Sequence, residues 1–65
     1  MEPKPEEIAA GYIWLMKFVG KNPHMMDEDR ENDLIQLLKC KTKHIDTMKA
    51  REMICRFKEG RASQK

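Results

Sequence analysis

Aromatic residues make up only 6% of this 65-residue chain, with one tryptophan, one tyrosine and two phenylalanines; glycine and proline number three each and cysteine two. So little glycine and proline excludes collagen-like and linker-like chains. Two cysteines, Cys40 and Cys55, are too few for the disulfide framework of a small secreted domain, and free thiols in a reducing, intracellular compartment, cytoplasm or nucleus, are the expected state. Long hydrophobic runs are also missing. The greasiest stretch, Ile8 to Val19, is interrupted by Lys17 and falls short of the roughly twenty residues that cross a bilayer, so no membrane partner is expected. It has no basic leader and no small-residue cleavage site, which argues against a secretory signal.

Motifs that would mark an enzyme are lacking too. There is no phosphate-binding glycine loop, no dinucleotide fingerprint, no HExxH and no nucleophile elbow, so neither a catalytic residue nor a cofactor is assigned. The acidic run DEDREND at 27–33 lacks the glycine and the distal glutamate of a calcium loop. A zinc set would need Cys40 and His44 to combine with the isolated Cys55 and His24, whereas zinc signatures bring ligands in two close pairs; no metal ligand is assigned.

What the chain does contain is 40% apolar and 37% charged residues, too hydrophobic for disorder and enough for one small domain. Helical periodicity marks three helices, at about 5–20, 28–41 and 46–59, with frayed ends at about 1–4 and 61–65. Pro5 suits a first helical turn, Glu6 and Glu7 suit its positive end, and Gly20 followed by Pro23 predicts its stop. Asp27 or Asp29 is the expected cap of the second helix, and Gly60 the expected end of the third. Of the methionines in the first connection, Met25 and Met26, plugging the core is the expected role. The expected core is Ile8, Tyr12, Leu15, Val19, Leu34, Leu37, Leu38, Met53, Ile54 and Phe57, with Ala50 on the buried stripe of helix three. The fold class is therefore an all-α, three-helix domain, small enough that dimerisation would complete it.

Helix one carries more apolar surface than two further helices can cover. Ile8, Tyr12, Leu15 and Val19 form one face, Trp14 and Phe18 a second, and Ala9, Ile13 and Met16 a third. The expected partner-binding residues are Ile13, Trp14, Met16 and Phe18, in a non-enzymatic oligomerisation or adaptor module at the N-terminus of a longer protein. Its partner is a protein, a second copy or another helix, and a homo-oligomer is the favoured form.

Charge supplies the alternative. Residues 1–38 hold four basic and eight acidic groups, net −4, and residues 39–65 hold nine and three, net +6. This asymmetry points either to pairing between the halves or to a DNA or RNA partner, bound through Lys49, Arg51, Arg56, Lys58 and Arg61. The run REMICRF resembles, in apolar placement, the AELIERL-like helix of SAP domains, helix-extension-helix DNA binders. The likeness covers about half the chain, lacks the glycines of the SAP link and has a spacing longer by one. The tail RFKEGRASQK is not that of a homeodomain recognition helix, because Arg56 and Glu59 stand where its tryptophan and asparagine belong.

Overall fold

The computed structural model describes residues 2–63 and forms three helices, α1 (Pro5–Lys21), α2 (Glu31–Lys41) and α3 (Thr47–Ser63), with no strand among the described residues. Two 3-10 turns, Pro23–Met26 and Glu28–Arg30, join α1 to α2. The chain is an all-α domain, as its periodicity requires.

Pro5 occupies the first turn of α1, and the Lys4 carbonyl accepts the Glu7 and Ile8 amides at 2.9 and 3.1 Å. The other end differs from expectation. Gly20 stays helical with negative φ, and Asn22 closes the helix instead: its backbone N–H donates to the Phe18 and Val19 carbonyls and its side-chain amide to the Phe18 carbonyl at 3.0 Å. Pro23 then opens the first 3-10 turn. The second helix begins later than 28, because residues 28–30 take the tighter winding, and neither Asp27 nor Asp29 caps α2: Arg30 holds its N-cap position, with no side-chain cap bond. Asp46 caps α3, its carboxylate accepting the Lys49 N–H at 2.8 Å. Gly60 does not end α3, which runs on to Ser63; its φ is not positive, so it offers no left-handed stop. The expected frayed tail is thus helical as far as 63, while Met1, Gln64 and Lys65 lie outside the described residues.

The core is built of Leu15, Val19, Met25, Leu34, Ile35, Leu38, Ile45, Ala50, Met53 and Ile54. Ile8, Tyr12, Leu37 and Phe57, expected inside, are half-buried against it, because each sits at the margin of its helix's buried stripe. Met25 is the buried plug and Met26 its partly buried neighbour. Ile35 and Ile45 are additions. The helices meet at Gly11, where a Cβ would stand 2.7 Å from Met53 Cε, 3.4 Å from Leu38 Cδ1 and 3.7 Å from Ile45 Cδ1. Polar ties span the connections: His44 Nδ1 lies 2.8 Å from Glu7 Oε1, and Lys39 Nζ donates to Thr47 Oγ1 at 2.8 Å.

These placements make the glycines respond in opposite directions. Gly11→Val should destabilise the fold by about 1–3 kcal/mol through overpacking against Met53 and Leu38. Gly60→Ala, which meets nothing within 4 Å, should stabilise it by up to about 1 kcal/mol through helix propensity. Urea titrations of both variants check this; an unaffected Gly11→Val midpoint would show that α1 is not packed this closely.

Candidate interaction surface

Helix α1 presents its residues to three environments. Gly11, Leu15 and Val19 are buried at the centre of the contact with α2 and α3. On the margin, Trp14 and Phe18 stack, one turn apart, with ring centroids 4.9 Å apart and 12° between planes. Both are half-buried and pack against the core, so they serve the fold before any partner. Ile13 and Met16 point outward, 53% and 62% exposed. The expected four-residue contact surface is therefore divided: Ile13 and Met16 remain open to a partner, and Trp14 and Phe18 are committed to the edge of the core.

Exposure extends along the helix in a pattern. Ala9, Ile13, Met16 and Gly20, at the i, i+4, i+7, i+11 spacing that lines one helix face, are all exposed. Next to this stripe, Tyr12 and Met16 form one wall of an open groove of about 500 Å³ whose other wall is Arg56, Phe57, Gly60 and Arg61 of α3. Nearer the helix starts, a second groove of about 610 Å³ runs between Ile8 and a wall that includes Asp46, Met48, Lys49 and Glu52. Met48 is 80% exposed. It lies off the Ala50, Met53, Ile54, Phe57 stripe of α3, and its position beside Ile8 depends on how α1 and α3 cross.

The basic residues of α3 do not form one surface. Lys49 and Arg56 pair with Glu52 at 3.7 and 3.3 Å on one flank. Lys58 pairs with Glu31 at 3.7 Å on the other, joining the basic helix to the acidic segment ahead of α2. Arg61 lies over the Phe57 ring, 5.8 Å from its centroid. Arg51 is exposed. Exposed pairs of this kind are each worth about 0–1 kcal/mol, but they spend the positive field locally. Among the described residues no three His, Cys, Asp or Glu side chains gather as a metal site; Cys40, Cys55 and His24 are exposed and His44 is held by Glu7. No described helix is long and apolar enough to cross a membrane.

Set beside known proteins, the chain matches no protein family, no curated protein and no solved structure.

Two outcomes follow from these placements. Trp14→Ala should lower unfolding free energy by about 2 kcal/mol, roughly half the cost of a fully buried tryptophan, whereas Ile13→Ala should change it by less than about 0.5 kcal/mol; denaturant curves read both. Titration with a short DNA duplex near physiological salt should give only the weak, salt-sensitive binding of about 10⁻⁴ to 10⁻⁶ M typical of non-specific contacts. A saturable nanomolar complex would restore α3 as a nucleic-acid surface.

Proposed function

We propose that this chain is a non-enzymatic self-association module that binds through the outward face of α1. The observation that carries this reading is the clustering of exposed apolar side chains. Three large hydrophobics stay exposed among the described residues, Ile13, Met16 and Met48: Met16 and Met48 each line a groove between α1 and α3, and Ile13 is one turn from Met16 on the outward face of α1. Scattered exposed hydrophobics need no explanation, but a grouped set on one side marks a contact surface.

Size supports the same conclusion. A 65-residue chain buries too small a fraction of its surface to be more than marginally stable alone, and association adds apolar burial without adding chain. Ala9 and Gly20 flank the two larger side chains and leave room for a second helix to approach. A standard small interface takes roughly 600 Å² from each partner, about an eighth of the 4948 Å² this chain exposes.

Ile13→Lys combined with Met16→Lys is the direct test. Both side chains are more than half exposed, so the double variant should keep its helicity and lose self-association in sedimentation over a concentration series, while the unaltered chain dimerises. An unaltered chain that stays monomeric to millimolar concentration, or a variant that still dimerises, would overturn the reading.

A further inference from the structure

We propose that the two copies pair antiparallel about a two-fold axis that runs between the two α1 helices, perpendicular to them, at the level of Gly11 and Tyr12; this rests on the self-association reading above and specifies its geometry. Three independent features of the α1–α3 face match only in that arrangement.

The first is a charge pair. Glu6 and Lys17 are both exposed, and neither has an ion-pair or hydrogen-bond partner among the described residues. Eleven residues separate them, about three helical turns or ~16 Å, so they lie on the same side of α1, just beyond Ile13. A two-fold axis perpendicular to the helix, placed midway between them, sets Glu6 of each copy beside Lys17 of the other and satisfies both charges twice.

The second is shape. With the same axis, exposed Ala9 falls between Ile13 and Met16 of the second copy, small against large, and the reverse contact is identical. A parallel pair would instead set Ile13 on Ile13 and Met16 on Met16, and would turn the Glu6–Lys17 edge of each helix away from its counterpart.

The third lies across the stripe, along the grooves. Ile8 shares its groove with residues 44–52, and Tyr12 and Met16 share theirs with 56–61, so α1 and α3 run in the same sense along this face. The first groove carries the carboxylates of Glu2, Asp46 and Glu52 beside Lys49 and His44; Glu52 is already paired with Lys49 and Arg56, which leaves Glu2 and Asp46 as its acidic groups. The second is lined by no carboxylate and carries the guanidinium groups of Arg61 and of Arg56, the latter already paired with Glu52. Reversal of one copy brings the acidic groove with Met48 opposite the basic groove with Met16, and the other half of the interface repeats it.

Glu6→Lys and Lys17→Glu, made separately in the full chain, test the arrangement. Each single variant sets like charges together at two places and should weaken its own dimer by about tenfold or more in sedimentation equilibrium. An equimolar mixture of the two should regain a heterodimer near the original affinity, because each chain then supplies the charge the other lacks. Circular dichroism should show both variants as helical as the original; if Glu6→Lys unwinds the first turn, Glu6→Gln replaces it and should give a smaller loss that the Lys17→Glu partner does not repair. A dimer indifferent to either substitution, or a mixture without recovery, overturns the antiparallel pairing while leaving self-association standing. A monomeric original chain overturns both.

Discussion

Gly11 brings α1 so close to its neighbours that Met53, Leu38 and Ile45 would all lie within 4 Å of a Cβ at that position. That one approach sets what each remaining face of the helix can do. Leu15 and Val19, following Gly11 along the contact, sink to zero exposure. Trp14 and Phe18 are left at the margin, where they stack on each other and cover the core from the side. Ile13 and Met16 then have nowhere to go but out. A three-helix domain can surround only part of a helix that is apolar nearly all round, and the close packing at Gly11 fixes which part.

The polar groups secure the geometry that this packing requires. Glu7 to His44 fastens the start of α1 to the segment before α3, Lys39 to Thr47 closes the corner between α2 and α3, and Lys58 to Glu31 draws the far part of α3 to the start of α2. Each contact is only part-buried and contributes little to stability by itself. Together they join elements that are distant in sequence, and they account for part of the charge asymmetry between the two ends of the chain as an internal attraction. Lys49, Arg56 and Lys58 are drawn into these or neighbouring pairs, which is why the charge count of α3 overstates the positive surface it offers.

The helices and most of the core were legible because they depend on local chemistry: Pro5 starts α1, Pro23 prevents its continuation, and the Ala50, Met53, Ile54, Phe57 spacing orients α3. Helix ends were less so. Gly20 and Gly60 have the residue type of a C-cap but keep helical φ, and Asn22, whose place before Pro23 is equally that of a turn residue, performs the capping. Ile45 lies outside the periodic stripe of α3, but a local signal for its burial exists: it immediately precedes the cap Asp46, and Ala50 stands at the fourth helical position, the two places joined by a hydrophobic staple. Both are buried. The apolar excess of α1 could be seen in the sequence, but the division between its marginal aromatics and its outward Ile13 and Met16 could not. Periodicity gives the relative angles of side chains around one helix, and only the crossing with the other two fixes the zero of that angle.

Apolar contact and charge have different roles in the proposed self-association. Burial of Ile13, Met16 and Met48 is non-directional, and would favour a parallel pair about as well as an antiparallel one. Charge breaks that tie. Glu6 and Lys17 at opposite ends of one edge, and an acidic groove and a basic groove at opposite ends of the other, give the α1–α3 face a polarity that reverses from start to finish. Two copies laid in the same sense gain nothing from it, whereas in the opposite sense Glu6 meets Lys17 twice and the Glu2–Asp46 end of one groove twice faces the Arg61 end of the other. Such pairs add modestly to affinity, but like-charge contacts count against the wrong alignment, so orientation is selected even where the attraction is weak. In the proposed pair, a domain with little core to spare would obtain additional burial and a single register from the same helix face.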